Sequence, residues 1–412
     1  MTGSPPSMDF FIDAFQWHRK FLPPLVRQDG LLLLSETDLF MLGSPGVLAV
    51  ERVLREGVNL ASHCKTEGTP ALLAEMLHAL EALVRQGFAR PARADDAEPY
   101  VVPDFSSPAA RVRVSEHVDA IVLSDAVSHD AAMRWGRAVT AGDAGLTLVF
   151  CDDYLDPRLG PIDTQQRTTG WPWLLVKPTG ERAMAGPLFT PHAPAATACW
   201  HCLAHRLIRN RPARAWWQGR HGGRTVGMPV RVDAKLVEDR LEALLPLALG
   251  LVSQSGQQVW TLEPREPHAV VARPQCPQCG NAGLMAHLQR QPITPMPCLS
   301  SARPDGGWRT MPASATVERL ARHVDPLCGV ITRVVPLGVE AEDALTVYRS
   351  EIFRTAPVHG DLSASALVQV CLGKGMFTDQ SRASAMCEAV ERYAAFSSIR
   401  ATRPLSSQPH RR

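Results

Sequence analysis

Two Cys-x-x-Cys pairs, Cys199–Cys202 and Cys276–Cys279, are the residues here with the clearest chemistry. Two residues between cysteines let one tight turn aim both sulfurs at a single ion, and two such turns complete a tetrahedral thiolate shell. Four thiolates leave no vacant position, so the expected ion is a structural Zn²⁺. The 73 residues between Cys202 and Cys276 exceed a simple ribbon, so the ion would pin segments distant in sequence. Gly280 supplies the knuckle turn; His201 and His205 are the other donors in reach for a variant shell.

A second pattern lies near the other end of the chain. Ser384, Glu388, Glu391 and Arg392 fall at i, i+4, i+7 and i+8 and form one polar stripe of a helix, opposite Met386, Val390 and Ala394. Two carboxylates one turn apart repel a polyphosphate directly but hold it through Mg²⁺, a hard cation with oxygen ligands. Arg392 offers a bidentate fork to phosphate. Upstream, Gly373-Lys374-Gly375 offers backbone freedom and a cation, far short of a P-loop. A solvated helix face with a Glu–Arg pair fits the same residues.

The elements that must position these residues divide the chain. Residues 8–90 read as a compact first unit. Its strands, Leu25–Arg27 and Leu31–Leu34, flank a Gln28-Asp29-Gly30 turn, and a third candidate covers Asp38–Leu42. Helices follow at Val47–Glu56 and from Thr69-Pro70, the latter with Leu72, Met76, Leu80 and Leu83 on one face. Closing at Gly87 with a wing from Phe88, this resembles a winged helix-turn-helix. Residues 91–110 read as a linker. From 111 to about 300, strands at Ala120–Leu123, Leu146–Phe150, Leu174–Val176 and Val259–Leu262 alternate with helical stretches including Leu236–Leu249, the pattern of an α/β layer domain. Residues 301–315 form a second boundary. Strands at Ile331–Leu337 and Leu367–Cys371 and a helix over Thr378–Phe396 then make a partial α+β domain, residues 313–397, before a tail at 398–412 expected to be disordered.

With 412 residues, 45% hydrophobic and 20% charged, the chain suits two or three globular domains. The net charge of +2 gives no whole-chain argument for nucleic acid or membrane. Residues 205–224 do combine arginines with Trp216 and Trp217, the best nucleic-acid feature here, but read as a solvated basic face. No apolar run approaches membrane-spanning length, and MTGSPPSMDFF has no basic region before an apolar core. A cytoplasmic location is therefore expected, and the ten cysteines point to metal rather than disulfides.

These motifs together resemble the azoline-forming cyclodehydratases of ribosomal peptide biosynthesis, in the form that fuses a ThiF-like domain to a YcaO domain. The SxxxExxER helix after a Gly-Lys-Gly strand end is similar to the first ATP motif of YcaO proteins. GPLFTP (186–191), CWHCLAHRLIRNRP (199–212) and RPQCPQCG (273–280) resemble the zinc region of the ThiF-like component, as does LTLVFCDDYLDPRLGPID (146–163). The resemblance implies a head that binds the leader of a precursor peptide as an added strand. Asp38, Leu39, Phe40, Met41 and Leu42 would supply the edge, with Leu73, Met76 and Leu80 lining the groove; each also fits ordinary core. It implies a Rossmann-like ThiF-type scaffold without nucleotide chemistry, and no glycine between 88 and 135 is present to cradle phosphate. It implies ATP and Mg²⁺ at Ser384, Glu388, Glu391 and Arg392, with Lys374 a weaker member. Implied partners are the precursor peptide, a second copy in a homodimer, and a separate YcaO protein or dehydrogenase.

The family's YcaO domain continues well past this helix, whereas here the pattern stops near Ser397 and no acidic residue follows Glu391. The expectation is that the chain alone lacks cyclodehydratase activity and that no catalytic residue is assignable in it. Three other readings compete: a leader-binding scaffold serving a separate YcaO enzyme, an adenylating ThiF-type enzyme, and a zinc-ribbon nucleic-acid binder.

Overall fold

The computed structural model describes residues 9–27, 30–67, 70–92, 100–139, 145–192, 197–295, 297–302, 308–338, 345–354 and 367–401. The chain divides into two compact units. The first comprises Met1–Ser106, Thr179–Glu181 and Gly227–Glu238; the second comprises Ser107–Pro178, Arg182–Val226 and Asp239–Arg412.

In the first unit, β1 (Phe15–Trp17) is followed by a three-stranded antiparallel sheet of β2 (Leu25–Arg27), β3 (Gly30–Leu34) and β4 (Leu39–Leu42), with β3 central. Of the expected Gln28-Asp29-Gly30 turn, Gln28 and Asp29 lie outside the described residues. Asp38, expected as the first strand residue, sits in the preceding turn, where its N–H donates to Ser35 Oγ at 2.9 Å. Helix α1 (Pro45–Glu56) starts where its sequence dictates: Ser44 Oγ accepts from Val47 N, proline opens the first turn, and Gly57 closes it left-handed. A helix the sequence reading missed, α2 (Leu60–Glu67), precedes α3 (Pro70–Arg85). Strand β5 (Ala89–Pro91) pairs antiparallel with β1. Within the stretch expected as a linker, β6 (Tyr100–Val101) pairs with Val230–Arg231. The core packs Leu31, Leu33, Val50, Val53, Leu54, Met76, Leu80 and Leu83 between sheet and helices.

The second unit is built on a mixed seven-stranded sheet. Its members are β7 (Ala110–Arg113), β8 (Val118–Val122), β9 (Leu146–Phe150), β10 (Trp173–Lys177), β11 (Met184–Phe189), β13 (Gln258–Leu262) and β14 (Arg265–Ala269); β12 is the Val230–Arg231 strand of the first unit. Only β8, β9 and β10 run parallel, joined by α4 (His129–Ala138) and α5 (Leu159–Thr169), and the four outer strands are antiparallel to their neighbours. Every residue of β9, β10 and β11 is buried, as strands covered on both faces require. After β11 come α6 (Trp200–Arg209), α7 (Pro212–Arg220) and the 21-residue α8 (Ala234–Gln254). Short elements follow: α9 (Leu284–Arg290), β15 (Ser301–Ala302) and β16 (Trp308–Arg309).

The remainder carries α10 (Ala313–Ala321), an antiparallel sheet of β17 (Arg333–Pro336), β18 (Thr346–Phe353) and β19 (Val368–Gly375), and α11 (Thr378–Ala401) packed on it. Residues 313–397, expected as a domain of their own, group instead with the large sheet. The physical reason lies in buried ties. His268 Nδ1 meets Asp325 Oδ2 at 2.9 Å, Asn210 donates to the carbonyls of Leu327 and Gly329, and Leu327 and Cys328 join the apolar cluster of the large sheet. Of the tail expected from 398, residues to Ala401 continue α11 and the rest lies outside the described residues. Among the described residues no helix is long and apolar enough to cross a membrane.

Candidate functional site

Cys199 caps α6 and Cys202 lies in its first turn, so both thiols sit at the positive end of a helix. Cys276 and Cys279 lie on a turn held by Cys276 N to Arg273 O at 3.0 Å, Gly280 N to Cys276 O at 3.0 Å and Asn281 N to Pro274 O at 2.8 Å. Gly280 is required there: a Cβ would lie 2.4 Å from Pro274 O and 2.7 Å from Arg273 O. The two turns bring all four sulfurs within 4.8 Å of one another. Cys199 and Cys276 stand 3.5 Å apart, Cys202 and Cys279 3.4 Å, and Cys199 and Cys202 4.0 Å. A tetrahedron with bonds of about 2.3 Å places its sulfurs about 3.8 Å apart, so the cluster matches a four-coordinate soft ion. Hydrogen bonds from the Cys199 thiol and, at 3.2 Å, from Arg273 N–H pull Cys202 down to about 4, while its thiolate and burial push Cys199 up. Burial, with Cys202 beside it, lifts Cys279 to about 11. The nine cysteines whose side chains are described are all free thiols.

One turn further along α6, Arg206 is only 7% exposed and its guanidinium, with that of Arg209, brackets the Tyr393 ring at 5.1 and 4.9 Å. Arg206 also donates to the Tyr393 hydroxyl, which lies 3.2 Å from His205 Nε2. Burial and the charges of Arg273, Arg206 and Arg209 hold His205 down to about 3. Four thiolates around a divalent ion carry a net double negative charge, which would offset this cluster of arginines. His205 points to Tyr393 rather than into the thiol cluster. Nothing in the sequence pattern singled out Tyr393.

Ser384, Glu388, Glu391 and Arg392 do share one face of α11. Ser384, Glu391 and Arg392 are exposed, Glu388 is half-buried, and Arg392 grips Glu388 at 2.7–2.8 Å. The opposite face buries Ala385, Met386 and Ala389 on the sheet. The glycines before this helix serve contact rather than freedom. A Cβ on Gly373 would lie 2.1 Å from Ser381 O and 2.2 Å from Ala385 N, because helix backbone rests on strand backbone there. Gly373 and Gly375 face α11, so Lys374 between them projects from the opposite face of the sheet and is not brought to the stripe.

In the first unit, β4 is an edge strand, and a groove of about 530 Å³ runs between it and α3. Met41, Leu42, Gly43, Ser44 and Pro45 form one wall, and Glu75, His78, Ala79, Ala82 and Gln86 the other. Leu39 and Phe40 lie on β4, half-buried. Met76 and Leu80, expected to line this groove, are each 1% exposed and belong to the core, while Leu73 is half-buried and outside the lining. The apolar stripe of α3 faces inward, and the groove is built by the face beside it.

The crevice at the ends of the parallel strands, where a doubly wound sheet takes a nucleotide, is acidic and filled. Asp152, Asp153 and Asp156 are all buried after β9. Asp156 is gripped by Arg158; Asp153 pairs with buried Arg214, whose Nη1 is 3.2 Å away; and Asp152 accepts from Ser124 at 2.6 Å. Burial and these carboxylates push the Cys151 thiol well up. A polyphosphate would meet like charge here.

No family model matches the chain, and no curated protein matches it. The fold, a mixed α/β arrangement with one large mixed sheet, is heterocyclase-like. The chain is similar to a solved heterocyclase in complex with substrate and cofactor, at 22% identity and a TM-score of 0.52, covering 92% of this chain and 54% of that one. The heterocyclase TruD aligns at 20% identity with a TM-score of 0.43 (93% and 51% covered), and a chain of the E. coli microcin synthetase McbBCD complex at 12% with 0.31 (64% and 99% covered). The chain thus spans about half the length of the solved heterocyclases it matches.

Proposed function

We propose that this protein acts in the leader-guided, ATP-dependent cyclodehydration of Cys, Ser or Thr residues in a ribosomal precursor peptide to thiazoline or oxazoline. The observation that carries the reading is the β4 edge beside the α3 groove, a geometry that takes an extended peptide as a further strand and its side chains in the groove. Cys199, Cys202, Cys276 and Cys279 would hold Zn²⁺ as a structural clamp. Glu388 and Glu391 offer hard oxygen donors of the type Mg²⁺ takes, with Ser384 and Arg392 beside them. Mg²⁺–ATP, when bound, supplies the phosphoryl group that makes the amide oxygen a leaving group as the side-chain nucleophile closes the ring, releasing ADP and phosphate.

A scaffold role beside a separate YcaO enzyme is favoured by one observation: Arg392 is committed to Glu388 and Lys374 lies on the far face. Peptides selected by display against the full chain should bind at least tenfold less well to Ala82→Trp, which fills the groove. Equal binding to both would refute peptide capture at β4. Calorimetric Mg²⁺–ATP binding that is lost in Glu391→Gln supports the enzyme reading, and peptide binding without any nucleotide binding supports the scaffold.

A further inference from the structure

Asp163 on α5 lies against the N-terminus of α6 and is 1% exposed. Its Oδ1 accepts from Trp200 N at 3.3 Å, but its Oδ2, His201 Nδ1 and Arg167 Nε are buried atoms with no hydrogen-bond partner. His201 Nδ1 stands 3.4 Å and Arg167 Nε 3.6 Å from that Oδ2. One carboxylate oxygen of Asp163, one ring nitrogen of His201 and Cys199 Sγ all lie within 4.8 Å of one another. Arg167, a donor that binds no metal, only balances the carboxylate at ion-pair distance, whereas Asp163 Oδ2 and His201 Nδ1 are two buried ligand-type atoms facing each other without a hydrogen bond, which is costly unless something else satisfies them.

A divalent ion with bonds of about 2.0–2.2 Å to nitrogen and oxygen sets those two donors about 3.4 Å apart in a tetrahedron, the separation observed. The donor set is one sulfur, one nitrogen and one oxygen. That differs from the closed four-sulfur shell beside it, because three protein ligands leave a fourth position for solvent or an exchangeable group. Cys199 belongs to both sets, and a thiolate keeps lone pairs enough to bridge two borderline-soft ions. His201 is 28% exposed, which gives an ion a route in.

We propose a second, exchangeable divalent-metal site formed by Asp163, His201 and Cys199, sharing the Cys199 sulfur with the four-cysteine ion. It rests on the four-cysteine reading but is tested separately from it. The metal-free full chain is titrated with Co²⁺ and followed by visible absorption and by bound-metal analysis. The first equivalent should give the bands of a tetrahedral tetrathiolate ion. A second, weaker equivalent should perturb those bands through the shared sulfur. Asp163→Asn and His201→Gln should each keep the first equivalent, which also reports that they are folded, and lose the second. Saturation of the wild type at one equivalent, or uptake of the second by both variants, would overturn the proposal, whereas a missing tetrathiolate spectrum would instead refute the four-cysteine reading.

Discussion

Replacing Gly373 by alanine should loosen the last sheet far more than a single methyl ordinarily does. The new Cβ would lie 2.1 Å from Ser381 O, 2.2 Å from Ala385 N and 2.9 Å from Ala385 Cα, all helix backbone that cannot rotate away. Relief requires α11 to retreat from β19 by about 1 Å. That retreat strains two hydrogen bonds, Ser350 Oγ to Ala385 O at 2.7 Å and Thr346 Oγ1 to Ser381 Oγ at 2.8 Å, each worth about 1 kcal/mol. It also opens the contact that buries Ile352, Cys371, Met386 and Ala389. With overpacking of about 1–3 kcal/mol, the local cost is about 4 kcal/mol. Were the site open, alanine would instead gain roughly 0.5–1 kcal/mol over glycine in a strand. Gly375→Ala is the milder comparison, since its Cβ would meet only Gln380 side-chain atoms, the fixed Cβ at 2.9 Å among them, and no helix backbone. Hydrogen exchange of β18, β19 and α11 amides is the assay, because a chain of two units need not unfold in one step. About 4 kcal/mol corresponds to about 10³-fold faster local exchange. Wild-type protection in Gly373→Ala would refute the backbone-on-backbone packing.

Other perturbations follow from the same geometry. If the four sulfurs hold the proposed ion, Cys276→Ser or prolonged chelation should remove it and lower the stability of the second unit by about 4 kcal/mol or more, read by metal analysis and urea unfolding. Burial raises the Asp153 carboxyl but the charge and hydrogen bond of Arg214 lower it further, leaving it below its ordinary value. A depressed carboxylate contributes stability that is present above its unfolded pKa of about 3.9 and lost as pH falls through the folded value. Acid unfolding should therefore show this component below about pH 4. Arg214→Met, which strands Asp153 as a buried charge, should cost about 3–5 kcal/mol at neutral pH. Tyr393→Phe removes the hydroxyl that Arg206 and His205 meet and should cost about 1–2 kcal/mol, with Tyr393→Ala costing more by the loss of two cation–π contacts, both read by exchange on α11.

What the sequence announced was local. The two knuckles, the buried run Leu146–Phe150 and the long helix from Thr378 all follow from spacing or periodicity within a few turns of chain. Strand β18 escaped because TVYRSEIF carries three consecutive polar residues, Arg349-Ser350-Glu351, in its middle, so neither an apolar run nor a strict alternation marks it. The groove face of α3 escaped for the opposite reason. Periodicity finds the apolar stripe at Met76, Leu80 and Leu83, but that stripe is the core, and the groove takes the less apolar face of Glu75, His78 and Ala82. The linker expected over 91–110 holds strands because pairing with Val230–Arg231, and with β8 at Ala110–Arg113, is set by partners far along the chain. Asp163 meets His201 across 38 positions, a pairing no local pattern carries.

Helix α6 explains why the four-sulfur cluster and α11 belong to one compact unit. Its first turn presents Cys199 and Cys202, and its next two present His205, Arg206 and Arg209 on the same side as Tyr393 of α11. Guanidinium groups this buried cost several kcal/mol unless negative charge lies close by, and Tyr393 offers only a phenol and a ring face. Burial holds the Arg206 guanidinium below its ordinary value; Tyr393 and then Cys202 oppose this, while Arg273 and Arg209 add to it, and Arg273 bonds Cys202 through its own backbone. A filled four-thiolate site would add negative charge on the same helix and so offset the burial of these arginines. Tyr393, the residue after Arg392, is where that arrangement reaches the stripe of Glu388 and Glu391, so the charge state of the sulfurs bears directly on how firmly α11 is held.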